Sequence, residues 1–271
     1  MEFWQTVVLG VVEGLTEYLP VSSTGHLLVT QRLLGIPSSE AANAFIIVIQ
    51  AGAIAAVLSL YRERVAQMLR GLAGRDPKGL NLVRSLLAAF APAAVIGKLL
   101  DEPIERVLFG AWPVVIAWFF GGVLLLAVAP RIKGREGLAT DEIGWKAAML
   151  VGLAQCFALW PGVSRSMATM LGGVFMGLSM AAAVEFSFLL GLLTLGAATA
   201  YKSLQSGDVL LEAYDWPVIA TAVAVSWLSA IVAVKWMVGW INRHGLEVFG
   251  YWRIGVALVV GCLLVAGVIE P

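Results

Sequence analysis

The chain has 271 residues, of which 60% are hydrophobic and only 13% are charged. Because soluble domains have about 45–50% apolar and about 25% charged residues, this composition excludes an ordinary soluble domain and indicates an integral membrane protein. The 18 basic and 18 acidic residues cancel, and this balance argues against a nucleic-acid partner, which would require a basic surface.

Six stretches of the sequence are predicted to cross the membrane, since a spanning helix needs about 20 mostly apolar residues. In chain order, they lie near residues 44–61, 80–100, 112–130, 183–201, 216–236 and 250–269. Their length and composition predict an all-α integral membrane protein.

Two further apolar stretches are interrupted in the middle. Residues 3–34 are broken at 20–26, and residues 143–177 are broken at 161–166. The pieces on either side have about 12–18 residues each, which is short for a full crossing. Each stretch therefore predicts a re-entrant helix–loop–helix hairpin that enters the membrane and returns.

The charges of the loops predict the orientation, because Arg and Lys collect in cytoplasmic loops. Loops 62–79 and 131–142 are basic, and we expect them on the cytoplasmic side. Loops 101–111 and 203–215 are acidic, and we expect them outside. Their acidic residues are Asp101, Glu102, Glu105, Asp208, Glu212 and Asp215. The resulting path places both termini outside.

The order of these elements predicts an internal repeat within one membrane domain, residues 1–271. Repeat 1 covers about 1–130 and repeat 2 about 143–271, and each has one broken hairpin followed by three spanning helices. An odd number of crossings inverts the second half relative to the first. The fold class is therefore all-α with inverted-topology repeats, six spanning helices and two re-entrant hairpins.

A weak similarity between the two hairpins supports this repeat. Gly14-Leu-Thr-Glu17, followed by Pro20 and paired serines, resembles Gly152-Leu-Ala-Gln155, followed by Pro161 and two further serines. Inverted repeats with broken helices place functional sites at the repeat interface, near the bilayer midplane. We therefore expect one site where the two hairpins meet.

The first hairpin carries two carboxylates, Glu13 and Glu17, which share one helix face because they are four residues apart. Acidic side chains within the membrane usually mark function, although a pair this close to the chain start could also lie at the interface by chance. Together they could hold a divalent cation through oxygen ligands. Alternatively, one of them could act as a general base.

The first break contains Ser22, Ser23 and Thr24 and then His26. One hydroxyl could simply cap a short helix, but three hydroxyls at a half-helix N-terminus favour an anion site. His26 by itself could be a packed or capping residue. Beside two carboxylates and three hydroxyls, a proton-transfer role is the better hypothesis.

The second break carries Arg165 within a long apolar stretch, where a cation needs a counter-charge. It could form a structural ion pair with Glu13 or Glu17, or its planar guanidinium could bind a phosphate in bidentate fashion. Hydroxyls that could donate to the same phosphate are Ser164, Ser166 and Thr169.

Together the two breaks predict a phosphate site with groups suited to hydrolysis, and a phosphate at a membrane belongs to a lipid. Gln50, within a predicted span, could hydrogen-bond to a hairpin or serve packing. A transporter of lipid phosphates or anions is the rival hypothesis, because inverted repeats and broken helices are also transporter features. A carrier has less use for Ser23, His26 and two acids together.

The two breaks also carry a family resemblance. Glu13-Gly-Leu-Thr-Glu-Tyr-Leu-Pro-Val-Ser-Ser-Thr-Gly-His26 and Pro161-Gly-Val-Ser-Arg-Ser-Met-Ala-Thr169 resemble the two signature motifs of the bacterial undecaprenyl-diphosphatase family, the bacitracin-resistance phosphatases. Shorter segments, Ile49-Gln-Ala-Gly52 and Glu185-Phe-Ser-Phe188, are also similar to family sequence. The resemblance covers essentially the whole chain.

The resemblance implies hydrolysis of undecaprenyl diphosphate to the monophosphate, which recycles a lipid carrier for peptidoglycan synthesis and confers resistance to bacitracin. It also implies a multi-pass protein of the bacterial cytoplasmic (inner) membrane, with its site facing the periplasm and dependent on Mg²⁺ or Ca²⁺. The substrate would be a prenyl diphosphate lipid, membrane lipid would surround the chain, and a homodimer is left open.

Carried over by position, the resemblance gives Glu13 and Glu17 as the acidic pair and Ser23 as the nucleophile. It gives His26 as the histidine and Arg165 as the phosphate-binding arginine. Ser164 and Thr169 match family positions that line the same pocket. We expect Glu17, Ser23, His26 and Arg165 to be catalytic and Glu13 and Glu17 to hold the metal. The expected substrate-binding residues are Ser22, Thr24, Ser164, Ser166, Thr169 and Gln50.

Two mechanistic alternatives accompany this expectation. Water rather than Ser23 could attack the phosphoryl group directly. A phosphohistidine mechanism, used by another class of membrane phosphatases, is disfavoured because it needs a second histidine after a Ser-Arg motif. Here no histidine follows Ser164-Arg165 until His244.

Overall fold

The computed structural model describes residues 1–37 and 39–269, with side chains throughout these ranges except at positions 101, 102 and 105. These residues form eleven α-helices and one short 3-10 helix. Within the same residues there is no β-strand, and a single isolated bridge joins Leu138 to Leu178.

The first half of the chain forms six helices. They are α1 (Phe3–Thr16), α2 (Ser23–Leu33), α3 (Glu40–Leu60), α4 (Arg62–Leu72), α5 (Pro77–Leu108) and α6 (Ala111–Ile132). The second half forms five, with a 3-10 turn at Phe157–Leu159 after the first of them. They are α7 (Trp145–Cys156), α8 (Arg165–Phe175), α9 (Met180–Ala213), α10 (Trp216–His244) and α11 (Glu247–Val265).

All six predicted spans are confirmed as long apolar helices, namely α3, α5, α6, α9, α10 and α11. The chain is therefore an all-α integral membrane protein. Local sequence explains several of their starts. Ser39 and Ser179 accept a hydrogen bond from the backbone at the first turn of α3 and α9, and Asp76 does so before Pro77 at the start of α5.

Two of the predicted external loops are wrong in extent. Most of 101–111 is helical, because α5 continues to Leu108, and most of 203–215 belongs to α9, which runs to Ala213 through a kink at Ser206. Polar residues mark where an apolar run ends, but they do not end a helix. The predicted acidic group Asp101, Glu102 and Glu105 falls on side chains outside the described set.

The four hairpin helices are too short to cross a bilayer. The longest, α1, has 14 residues, which at about 1.5 Å per residue gives about 21 Å. The hydrocarbon core is about 30 Å thick. The breaks fall between α1 and α2 and between α7 and α8, as the sequence predicts, and the short helices support the re-entrant interpretation.

Each hairpin packs against a spanning helix of the other half: α1 lies along α10, and α7 lies along α5. The pairs α3 with α9 and α6 with α11 also pack together. If each helix is replaced by its counterpart in the other half, the α1–α10 pair becomes the α7–α5 pair. The α3–α9 and α6–α11 pairs stay the same. This pattern supports the inverted repeat, which stays a prediction.

Two glycines allow these hairpin contacts. A Cβ atom on Gly14 of α1 would lie 2.3 Å from the Ser226 carbonyl of α10, and one on Gly152 of α7 would lie 2.2 Å from the Ala89 carbonyl of α5. No side chain fits at such distances from a backbone. The two glycines also occupy corresponding positions in the two similar hairpin sequences.

Replacing either glycine by alanine is therefore expected to push a hairpin away from its partner helix. We predict that Gly14→Ala and Gly152→Ala each destabilise the protein by about 1–3 kcal/mol, the usual penalty of overpacking. Thermal unfolding in detergent would measure this as a lower midpoint.

The control is Gly239→Ala, since a Cβ there has no neighbour within 4 Å. It adds the same methyl group to a spanning helix without a clash. Midpoints of the two hairpin variants that match this control would contradict the close packing.

Candidate active site

The site begins with two serines in an unusual backbone conformation. Ser22 and Ser164 have φ values of 73° and 77°, and they are the described non-glycine residues with positive φ. Such a conformation costs on the order of 1–3 kcal/mol and persists only when surrounding contacts hold it. Each serine directly precedes a half-helix, α2 or α8. The two breaks thus end in the same way, with a helix N-terminus at the site.

Three of the predicted residues meet where the hairpins contact each other. The Arg165 Nη2 atom donates to Glu17 Oε1 at 2.9 Å, and the Ser23 hydroxyl donates to Glu17 Oε2. The side chains of Glu17 and Arg165 are 5% and 12% exposed, so this ion pair is buried. Glu17 therefore joins the basic group of one hairpin to the hydroxyl of the other.

The guanidinium of Arg165 is held by contacts with Tyr18 and with helix α9. Its Nη1 atom donates to the Ser187 carbonyl at 3.0 Å, and its guanidinium carbon lies 5.2 Å from the centre of the Tyr18 ring, a cation–π arrangement. A Cβ on Gly191 would lie 2.6 Å from Nη1, so glycine leaves the space that the guanidinium fills. Its buried Nε has no hydrogen-bond partner among the described residues and remains a donor for an anion.

The hydroxyls of the second break are engaged with protein groups. Ser164 accepts from the Met167 N–H at 3.2 Å and lies 3.0 Å from the Ser166 hydroxyl. Ser166 donates to the Leu19 carbonyl at 2.9 Å, which ties α8 to the first break. Thr169 lies 2.6 Å from the Ser187 hydroxyl of α9. These contacts fix the second hairpin, while binding of substrate by the same hydroxyls stays a prediction.

The remaining residues of the first break are less directly connected to Arg165. Ser22 is the N-cap residue of α2, but its hydroxyl makes no cap hydrogen bond and accepts instead from the Gly162 N–H at 3.2 Å. Thr24, half-buried in the first turn of α2, and Gln50, buried in α3, take no part in the contacts above.

His26 has both ring nitrogens occupied. The Trp252 indole donates to Nε2 at 3.1 Å, and because an indole N–H can only donate, the proton of a neutral ring lies on Nδ1. Nδ1 then donates to the Ser22 carbonyl at 2.7 Å. His26 therefore lies in the first turn of α2 with both nitrogens engaged, while the carboxylate that receives the Ser23 hydroxyl is Glu17.

Glu13 is the second acid and differs sharply from Glu17. It is fully buried, and neither of its carboxylate oxygens has a hydrogen-bond partner among the described residues. No group of three or more His, Cys, Asp or Glu side chains that could hold a metal occurs in the described part of the chain. A Mg²⁺ ion, however, is often held by one or two carboxylates together with substrate phosphates. The open oxygens of Glu13, one turn from Glu17, fit that donor set.

A separate polar network lies at the start of α9. Glu185 accepts from Arg64 of α4 at 2.6 Å and from Thr140 at 2.6 Å, and Arg64 lies 3.8 Å from Asp141. These bonds connect α4, α9 and the segment between α6 and α7. None of these bonds reaches Glu17, Ser23 or Arg165, so we interpret the network as a contact that stabilises the tertiary fold.

Two residues next to the breaks, Arg253 and Trp118, were not predicted from the sequence. Arg253 is fully buried in α11 and donates to the carbonyls of Pro20 and Gly162. The Trp118 indole of α6 donates to the Val21 carbonyl at 2.9 Å. A signal for Arg253 was present, since it is a lone cation in a predicted span, as Arg165 is in its hairpin. Trp118 carries no such signal.

Six spanning helices define the class of this protein, an integral membrane protein, and a buried acid–hydroxyl–arginine cluster lies inside it at two helix N-termini. Comparison with known families makes this specific. A family model described as Bacitracin resistance protein BacA matches residues 6–259, and the chain belongs to that family.

Similar proteins carry consistent names. A protein named undecaprenyl-diphosphatase 2 from Rhodospirillum rubrum is 45% identical over 259 residues, which cover 94% of this chain and 93% of the relative. Undecaprenyl-diphosphatase from Sorangium cellulosum is 44% identical and covers 95% of this chain and 85% of the relative. The corresponding protein from Azotobacter vinelandii is 40% identical over 273 residues, or 100% of this chain and 98% of the relative.

Substitution of Tyr18 tests whether its ring supports the Arg165 guanidinium. Its hydroxyl is buried without a hydrogen-bond partner among the described residues, and an unsatisfied buried polar group costs about 1–3 kcal/mol. Tyr18→Phe keeps the ring and removes this penalty, so we predict an unchanged or higher unfolding midpoint. Tyr18→Leu removes the ring beneath the guanidinium and should lower the midpoint. A lower midpoint for Tyr18→Phe would contradict this assignment.

Proposed function

We propose that this chain hydrolyses undecaprenyl diphosphate to undecaprenyl phosphate and inorganic phosphate. This reaction recycles the lipid carrier for peptidoglycan synthesis and confers resistance to bacitracin. The contact of Glu17 with both Ser23 and Arg165 is the observation that carries the proposal. Family membership and relatives named undecaprenyl-diphosphatase, at 40–45% identity, support it.

The protein would act in the bacterial cytoplasmic membrane with its site facing the periplasm. The acidic residues of 203–215 and the basic residues of 62–79 support this orientation through the positive-inside rule. The prenyl tail would stay in the bilayer while the diphosphate enters between the hairpins. A homodimer stays a prediction.

Substrate binding would use the cation and the two helix ends. Arg165 would hold the terminal phosphoryl group with the guanidinium donors that remain free, Nε among them. The first N–H groups of α2 and α8 would add donors and the positive ends of two helix dipoles. Because phosphoryl transfer depends on positioning and on charge stabilisation, these donors would act most strongly in the transition state.

The nucleophile would be Ser23. As its oxygen attacks the terminal phosphorus, Glu17 takes the hydroxyl proton, the phosphoanhydride bond breaks, and undecaprenyl phosphate leaves. Glu17 passes this proton to the departing undecaprenyl phosphate and is a carboxylate again. Water then attacks the phosphoserine and gives a proton to Glu17, the bond between Ser23 and phosphorus breaks, the Ser23 oxygen takes the proton from Glu17, and phosphate leaves. In the alternative mechanism, a water molecule bound to Glu17 attacks the terminal phosphorus directly. The predicted proton transfer by His26 would require one of its two hydrogen bonds to open.

A divalent cation, Mg²⁺ or Ca²⁺, would be held by Glu13 and Glu17. When bound, such an ion neutralises the charge that develops on the phosphate oxygens. The fully buried carboxylate of Glu13, with both oxygens unpaired among the described residues, supports this assignment. Without a cation or a proton, that carboxylate would be an uncompensated charge in the membrane.

The central experiment measures phosphate release from a long-chain prenyl diphosphate by purified protein in detergent. We predict that Ser23→Ala reduces kcat by about 10³-fold or more, because it removes the nucleophile. Ser59→Ala is the matched control, since Ser59 lies exposed on α3 and bonds only within its helix.

Near-normal turnover by the Ser23 variant would remove the serine from the nucleophile role and favour direct attack by water. No release by folded wild-type protein would contradict the proposed hydrolysis. Movement of the lipid across vesicle membranes without release would then favour the transporter.

The cation assignment predicts a specific phenotype for Glu13→Gln. This variant keeps the shape of the side chain and removes a charged ligand. We therefore expect the Mg²⁺ concentration at half-maximal activity to rise by about 10–100-fold, with partial rescue at high Mg²⁺. Glu63→Gln, at an exposed position of α4, is the control. An unchanged Mg²⁺ response of Glu13→Gln would overturn the assignment.

A further inference from the structure

Arg253 is a fully buried cation whose hydrogen bonds all go to backbone carbonyls. Its Nη2 atom donates to Gly162 at 2.8 Å and to Ala117 at 2.9 Å, and its Nη1 atom donates to Pro20 at 3.3 Å. Gly162 lies in the second break and Pro20 in the first. One side chain from α11 thus contacts both re-entrant loops.

No carboxylate among the described residues forms an ion pair with Arg253, whereas Arg165 has Glu17. A cation inside a membrane is expensive without a counter-charge and is seldom kept for packing alone. Three carbonyl dipoles solvate this guanidinium but leave its charge in place. That positive charge lies next to the two loops from which α2 and α8 begin.

The two carbonyls in the loops occupy equivalent positions. Pro20 lies two residues before Ser22, and Gly162 lies two residues before Ser164. Ser22 and Ser164 are the two serines with positive φ that directly precede α2 and α8. A strained backbone needs contacts that hold it, and Arg253 supplies one such contact to each break at the same distance along the chain.

The neighbouring helix α6 is shaped to admit this guanidinium. A Cβ on Gly121 would lie 2.1 Å from Arg253 Nη2 and 2.8 Å from its guanidinium carbon. Any side chain at position 121 would therefore displace the tip of Arg253. The Trp118 indole, one turn earlier on α6, also donates to the first break, at Val21. The guanidinium is therefore positioned by the last spanning helix of each half, since α11 carries Arg253 and α6 leaves space for its tip.

We propose that Arg253 is a positioning residue that fixes the two breaks relative to each other, so that the N-termini of α2 and α8 point at the same phosphoryl group. This inference rests on the proposed function. Arg253 acts through the loop backbones, and Arg165 remains the residue that contacts the substrate. The Gly162 N–H completes the link, because it donates to the Ser22 hydroxyl beside Ser23.

Three substitutions test this role in different ways. Arg253→Gln removes the charge and the planar fork of donors, and Arg253→Lys keeps the charge but loses the fork. Gly121→Ala leaves Arg253 intact and only displaces its tip, so it carries the test if Arg253→Gln cannot be purified folded. The matched controls are Gly255→Ala on α11, where a Cβ meets nothing within 4 Å, and Arg243→Gln at an exposed position.

The first measurement is hydrogen–deuterium exchange of the full-length protein in detergent, read by mass spectrometry. For Arg253→Gln and Gly121→Ala we expect faster deuterium uptake in both 19–26 and 161–167, and unchanged uptake in both controls. This readout needs no substrate. Unchanged uptake in these loops, or faster uptake in only one of them, would overturn the proposal that Arg253 fixes both.

The second measurement is phosphate release, normalised to folded protein. We expect kcat of Arg253→Gln to fall by about 10²-fold, the effect of a small misplacement of reacting groups, with a much smaller change in KM. Arg253→Lys should lie between Arg253→Gln and wild type. Faster exchange in both loops with a normal kcat would show a purely structural role and contradict the proposal.

If wild-type protein released no phosphate, the proposed function would fail, and the exchange comparison would still decide whether Arg253 fixes the loops.

Discussion

The ion pair between Glu17 and Arg165 is the interaction on which the rest of this structure depends. Each charge alone would be costly within a membrane, and the two lie on different hairpins, 148 positions apart in the chain. Pairing them requires both hairpins to reach the same depth and to meet. The short half-helices, the breaks between them and the glycine crossings at Gly14 and Gly152 are the means by which they do so.

The two hairpins are similar in shape and different in chemistry. Both end their breaks with a serine at positive φ and begin a half-helix there. However, Glu17 in the first hairpin corresponds to Gln155 in the second, and Arg165 in the second has its acidic partner in the first. Neither hairpin alone carries both the acid–hydroxyl pair and the arginine. A single asymmetric site at their contact follows from this division, with Glu17 and Ser23 on one side and Arg165 on the other.

Sequence patterns predicted the features that depend on local chemistry. Apolar runs located all six spans, and charges within apolar stretches pointed to the pair Glu13 and Glu17 and to Arg165, of which the structure joins Glu17 and Arg165. The features that were missed or wrong are the extents of two loops and several tertiary contacts of single side chains. The extents of 101–111 and 203–215 were wrong because helices continue beyond the apolar run, and the bonds of His26 to Trp252 and Ser22 join distant helices. Arg253 carried the same signal as Arg165, but only the structure brings it to both breaks.

A double-mutant cycle on thermal unfolding tests most directly whether the Glu17–Arg165 pair holds the two hairpins together. Removing one partner of a buried pair leaves an uncompensated charge and typically costs about 3–5 kcal/mol. Our account predicts that Glu17→Gln and Arg165→Gln each lower the unfolding midpoint strongly, whereas the double variant is more stable than either single one. A double variant whose loss equals the sum of the single losses would contradict it, because the two side chains would then stabilise the protein independently.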